Sequence, residues 1–266
     1  MRQGSPWTVQ MYLHPLIASV PPDERAAFVQ RIELRSYRRN EVVLAADEWS
    51  DRIYCVATGL LRVVVQGSGD SGDVTTDFIR QDDFFLNSAL IEERYQAGAT
   101  LVAALPTSLY LVPTLEFKAL CDRHPAVTMG LLDVVMKRTT VLRRQIRQIS
   151  SASSERLISR ILHELTVLAP GTDGGYDKRI TQSVIASYSG LSRMQVNKTM
   201  RDLERRGLVR RDEHGVYVPP HFASSDFQEL PSAEPSPTAK DSGEVNQSFF
   251  SELFEAPPKS GKTTRK

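Results

Sequence analysis

Residues Thr181 to Val209 read TQSVIASYSGLSRMQVNKTMRDLERRGLV, and their spacing predicts two helices joined by a tight turn. Ala186 and Gly190 stand four apart around the turn, where small side chains let two helices cross closely and glycine lets the backbone reverse. The second helix has a start signal. Ser192 is placed to cap it, and Gln195, three residues on, completes a Ser-x-x-Gln capping box that satisfies two orphan amide donors. Val196, Met200 and Leu203 then recur at spacings of four and three, an apolar face that turns inward. Arg193, Gln195, Asn197, Lys198 and Arg201 are left to face outward, as a helix that reads DNA requires. From Lys178 to Arg211 nine basic residues stand against Asp202 and Glu204, a local net charge of about +7 in a chain whose total is +1. Such an excess suits phosphate contact, because each neutralised phosphate releases condensed counterions.

The 266 residues, 41% of them hydrophobic, are enough for two modest domains with cores. No apolar run is long enough to span a bilayer, and the opening MRQGSPWTVQMYLHPL lacks the uninterrupted apolar stretch of a signal peptide. A cytoplasmic protein with no membrane partner is therefore expected. Cys55 and Cys121 are isolated in apolar contexts, which favours buried thiols over a disulfide, and the five histidines are scattered. No metal site, no nucleophile–base spacing and no phosphate-cradling glycine loop is seen, so neither a catalytic residue nor an enzyme is expected.

Upstream the pattern changes twice. Residues 1 to 35 read as short helices, with Pro21-Pro22-Asp23 opening one that carries Ala27, Phe28 and Ile32. From Ser36 come short β-branched and aromatic runs, EVVLA, RIYCVAT, LLRVVVQ, VTTDFI, ATLVAAL and SLYLV, separated by turn signals that include Thr58-Gly59 and the loop from Gly67 to Gly72. They imply a small all-β sandwich or barrel, its core including Val43, Ile53, Tyr54, Val56, Leu61, Val63 and Val65.

After His124-Pro125 a proline-free stretch, 126–150, places Leu131, Val135, Thr139, Leu142, Ile146 and Ile149 at spacings of four and three. Such a seam needs a partner. It packs either on the β-domain or on the same helix of a second chain, and a helix of about 25 residues at about 1.5 Å each outreaches a small barrel, which favours a homodimer. A two-fold dimer would set two recognition helices in successive major grooves of a palindrome.

Beyond it, SSERLISRILHELTVLAP carries Ile158, Ile161, Leu162 and Leu165 on one face, GTDGGYDK reads as a loop, and LVRRDEHGVYV reads as a hairpin wing turning at His214-Gly215. Residues 223–266 have the composition of a disordered tail, in which SFFSELF is an apolar patch or a short partner-binding helix.

Over residues 15 to 222 the chain resembles the Crp/Fnr family of bacterial transcription regulators. The resemblance is carried by Tyr54-Cys55-Val56-Ala57-Thr58-Gly59-Leu60-Leu61-Arg62-Val63, Asp83-Phe84-Phe85, Ala99-Thr100-Leu101-Val102-Ala103, Leu191-Ser192-Arg193 and the run from Leu203 to Val209. It implies an α+β chain: a jelly-roll-like β-roll sensor domain over 1–125, a dimerisation helix over 126–150 and a winged helix-turn-helix over 151–222. The implied partners are double-stranded DNA, a second copy of the chain and RNA polymerase. The expected DNA-binding residues are Thr181, Gln182, Ser192, Arg193, Met194, Gln195, Asn197, Lys198 and Arg201. Arg193 falls on the family's guanine-reading arginine and Lys198 on a basic contact position. Two departures stand out. Where cyclic-AMP-binding members have Gly-Glu and Arg-Ser/Thr, this chain has Leu86-Asn87 and Ala97-Gly98, so no cyclic AMP is expected as a cofactor. At Met194, where many members have a glutamate that accepts from cytosine, no such acceptor exists. The alternative function is a sensor or adaptor whose winged helix contacts protein.

Overall fold

The computed structural model describes residues 6–67, 72–85, 92–171, 174–212 and 215–218. Part of the Gly67–Gly72 loop, Leu86-Asn87, His214 and the tail at 223–266 lie outside them.

The β-region is two four-stranded antiparallel sheets. One has the order β1 (Glu33–Tyr37), β10 (Thr107–Pro113), β4 (Arg52–Thr58), β7 (Phe84–Phe85). The other has the order β2 (Val42–Leu44), β9 (Thr100–Ala103), β5 (Leu60–Val65), β6 (Val74–Arg80). A short β3 (Trp49–Ser50) and β8 (Tyr95–Gln96) pair at one end. Ile53, Tyr54, Val56, Leu61 and Val63 are buried in one core, and Val43 and Val65 pack against it partly buried. The Thr58-Gly59 turn admits only glycine: Gly59 has φ +90°, and a Cβ there would sit 2.3 Å from the carbonyl oxygen of Pro106.

β4 is buried along five successive residues because it is covered on both sides. The core it enters also takes Met11 from α1 (Pro6–Tyr12), Leu16 and Ile17 from a 3-10 turn (Pro15–Ile17), and Phe28 from α2 (Pro22–Val29). α2 begins where Pro22 predicts, with Asp23 and Glu24 in its first turn, and ends before Ile32. β1 and α3 (Thr114–Arg123) are among the elements that were not foreseen. β1 occupies Glu33–Tyr37 and starts within the stretch read as helical, because an edge strand bearing Glu33, Arg35 and Ser36 shows no apolar alternation. α3 follows β10 directly and buries Phe117 and Leu120 in the same core.

α4 (Pro125–Ser151) is one uninterrupted helix, and α5 (Ser154–Leu168) restarts the chain after it, its first turn capped by Ser153 Oγ accepting from Arg156 N at 3.3 Å. Ile158, Ile161, Leu162 and Leu165 are buried, as their spacing requires, in a second core with α6 (Gln182–Ser189) and α7 (Arg193–Arg205). The wing is β12 (Arg210–Arg211) and β13 (Val216–Tyr217), but it has a third strand. The segment read as a loop contributes β11 (Gly175–Tyr176), paired to β13, with Tyr176 fully buried. Gly175 permits this closeness, since a Cβ there would meet Val216 O at 2.4 Å. No helix of the described residues is long and apolar enough to cross a membrane.

Candidate nucleic-acid interface

The turn and cap of the helix pair form as their residues dictate. Gly190 ends α6 in the left-handed region, φ +70°, where a Cβ-bearing residue is strained. Ser192 Oγ accepts from Gln195 N at 3.2 Å, and Gln195 Oε1 accepts from Ser192 N at 3.0 Å, closing the capping box. Val196, Met200 and Leu203 are fully buried against α5 and α6. The other side of α7 stands open: Ser192, Arg193, Met194, Gln195, Asn197, Lys198 and Arg201 are exposed. Thr181, just before α6, is exposed as well, and Gln182 is half-buried. The nine expected residues therefore fall on or beside the two helices of the motif. Gln195 is the one whose amide oxygen is already engaged, by both the amide and the hydroxyl of Ser192.

The local charge resolves into two kinds of cation. Arg179 is bound to Asp177 at 2.5 Å, Arg206 to Glu155 at 2.7 Å, Arg211 to Glu204 at 2.9 Å, and Arg205 to Asp202. Arg210 lies 3.7 Å from Asp212 with its guanidinium over the Tyr217 ring, 5.3 Å from the centroid. These wing and flank arginines are partly committed within the chain. Among the described residues Arg193, Lys198 and Arg201 make no ion pair, and all three are on the exposed face of α7. A count over 178–211 overstates the free charge because it leaves out Asp177, Asp212 and Glu155, carboxylates just outside that window or far from it in sequence.

The helix pair is also held from behind, by a contact that no motif announced. α6 lies on β6: Ser187 Oγ accepts from Thr75 N at 2.9 Å and donates to Asp73 O at 2.7 Å. The Tyr188 ring meets Phe78 edge-on, centroids 4.8 Å apart, and its hydroxyl donates to Glu164 at 3.0 Å. Burial pushes the Glu164 carboxyl above its ordinary range, partly opposed by Arg160. Leu60 and Phe78 of the β-sheets, with Ala104 and Leu105 of the bend between β9 and β10, complete the same apolar core as α5, α6 and α7. The sequence signal was present in principle, since Leu60 and Phe78 are apolar on the sheet face opposite the β-roll core, but it did not say what would cover them.

On α4 the expected seam needs one correction. Leu131, with Val127 one turn before it, is buried in the β-region core and is not available to another chain. Val135, Leu142, Ile146 and Ile149 are exposed by 42, 37, 66 and 45%, Thr139 is half-buried, and Leu132 is exposed by 51%. Residues 132, 135, 139, 142, 146 and 149 repeat at three and four throughout, so the open stripe starts at Leu132. Leu131 belongs to the neighbouring face, as does Arg138, which reaches Asp77 at 3.3 Å and donates to Phe84 O at 2.8 Å. Of the residues aligned with the family's Arg-Ser/Thr pair, Ala97 is buried in the β-region core and Gly98 has no side chain; Arg94, three residues before Ala97 and off the aligned position, is exposed.

Comparison with known proteins agrees with this layout. A cyclic nucleotide-binding domain family model matches residues 34–124 and a Crp-like helix-turn-helix domain model matches 155–219, together more than half of the chain. The cAMP-activated global transcriptional regulator CRP of Pasteurella multocida (strain Pm70) is 24% identical over 196 residues, 72% of this chain and 91% of the relative. The CRP-like cAMP-activated global transcriptional regulator of Mycobacterium tuberculosis (strain ATCC 25618 / H37Rv) is 25% identical over 211 residues, 76% and 91%. Among solved structures, FixK2 from Bradyrhizobium japonicum superposes with a TM-score of 0.61 at 19% identity, covering 70% of this chain and 91% of that one. The c-di-GMP-responsive regulator CLP of Xanthomonas campestris gives 0.61 at 17%, covering 75% and 100%. With a sensor-type β-roll, a long helix and a Crp-like helix-turn-helix in that order, the chain belongs to the Crp/Fnr family of transcription regulators.

Proposed function

We propose that this protein is a cytoplasmic homodimer that binds palindromic promoter sites through α7, works with RNA polymerase, and does so without cyclic AMP. The observation that carries the reading is a pair of exposed faces: Arg193, Lys198 and Arg201 on α7, and the apolar stripe from Leu132 to Ile149 on α4. Free cations on a helix suited to a groove are used by phosphates and guanine edges. An open heptad stripe is used by a second copy of itself, and two-fold pairing supplies two recognition helices for two half-sites.

Independence from cyclic AMP rests on the anchor positions. A cyclic phosphate loses hydration on entering a pocket, a loss offset only by charge-assisted hydrogen bonds. Ala97 is committed to the apolar core and neither it nor Gly98 offers a side-chain donor, so these residues do not supply the charge-assisted bonds that anion needs. The test combines gel-shift against genomic fragments, light scattering, and calorimetric titration with cyclic AMP and cyclic GMP. Dimers that bind specific fragments without added nucleotide are the expected result. Micromolar nucleotide binding with a clear gain in DNA affinity overturns the cyclic-AMP reading, and failure to bind any fragment overturns the DNA reading.

A further inference from the structure

We infer that Met194 reads DNA by apolar contact with the 5-methyl group of a thymine, so that each half-site of the operator carries a thymine at the position this side chain reaches. The inference rests on α7 being the recognition helix and names what one of its residues recognises.

Met194 is 79% exposed, more than any other large apolar residue exposed in the described structure. A single exposed methionine on an ordinary surface needs no explanation. Its place gives it one. At 3.6 residues per turn, Met194 shares a face with Lys198, four residues on, and Arg201, seven on, while Val196, Met200 and Leu203 occupy the opposite, buried face. It therefore stands in the first turn of α7, at the centre of the face that carries the free cations. The N-terminal residues of such a helix are the ones that meet base edges.

The chemistry then narrows the target. A thioether side chain donates no hydrogen bond and accepts only weakly, so it cannot satisfy the exocyclic amines of cytosine or adenine, whereas the one apolar feature in the major groove is the thymine methyl. The unbranched chain has three rotatable bonds and adapts to that contact. Gln195, a neighbouring residue whose amide could pair with a base, has its oxygen held in the capping box by the amide and hydroxyl of Ser192, so it no longer presents the paired donor and acceptor that read an adenine edge. Arg193 and Lys198 beside it supply polar and ionic contacts but no methyl recognition.

The experiment uses the full-length chain and duplexes selected by it from a random pool. Each thymine of the selected duplex is replaced in turn by deoxyuridine, which removes only the methyl. The expected result is one thymine per half-site at which deoxyuridine weakens binding about fourfold, the effect of one lost buried methyl. Met194→Ala should bind the thymine and deoxyuridine duplexes equally, and Met194→Leu should restore the discrimination. Because Met194 is exposed and alanine is a better helix former, the alanine variant keeps its fold. A wild-type chain indifferent to every deoxyuridine, or a penalty that persists in Met194→Ala, overturns the inference while leaving α7 as the recognition helix. A chain that selects no sequence at all overturns both.

Discussion

α4 and α7 are both amphipathic, yet they resolve their two faces in opposite ways. α7 hides Val196, Met200 and Leu203 completely inside its own chain and leaves a polar, cationic face open. α4 gives Val127, Leu131 and Arg138 to its own chain and leaves an apolar stripe open. An open polar face is stable in water and awaits a charged ligand. An open apolar stripe of this size is unfavourable in water and is closed by another apolar surface. On the proposed function the two helices take different kinds of partner, DNA for one and a copy of the chain for the other.

The sharpest way to break this comparison is to exchange the two faces of α4. Leu131→Ala should destabilise the folded chain by about 2–5 kcal/mol, as expected for a cavity in a packed core, measured by urea unfolding. Leu142→Arg should leave that fold intact but weaken pairing by several kcal/mol, because it buries an unpaired cation at the seam. Light scattering should find monomers. Equal effects of both changes on the monomer would show that the stripe packs within one chain.

On α7, Arg193→Ala should lose ~1–3 kcal/mol of discrimination at one base pair per half-site and keep salt-sensitive binding to unrelated DNA. Competition gel-shifts measure it, and an unchanged preference removes Arg193 from base reading. Ser192→Ala should cost about 1 kcal/mol of stability through loss of the hydroxyl that caps Gln195 N, while the backbone amide of residue 192 keeps its bond to the Gln195 amide oxygen; urea unfolding measures it.

The smallest effect concerns the bed beneath α7. Burial raises the Glu164 carboxyl above 4.5, so the folded chain holds this proton more tightly than the unfolded one. Its contribution to stability is complete below pH 4.5 and is lost as the pH rises through the raised value. Glu164→Gln should remove that slope, read from urea midpoints at stepped pH, while keeping an acceptor for the Tyr188 hydroxyl.

Much of this was legible locally. The capping box, the turn at Gly190, the buried stripe of α7 and most β-strands follow from interactions within a few residues, which short-range spacing and propensity encode directly. Strand β1 escaped because an exposed edge carries no alternation, and β11 because a two-residue Gly-Tyr strand shows no period at all. Which of two adjacent leucines on α4 faces inward was not readable, since Leu131 and Leu132 fit one apolar pattern equally and only the position of the β-roll distinguishes them. The free cations of α7 and the Ser187–Thr75 contact were undetermined for the same reason. Helix, turn and cap are properties of neighbours in sequence, and the chain alone determined them; which face is closed, that Arg206 is paired with Glu155 and which sheet supports α6 depend on contacts such as those between residues 51 to 114 positions apart, and only the tertiary structure decided them.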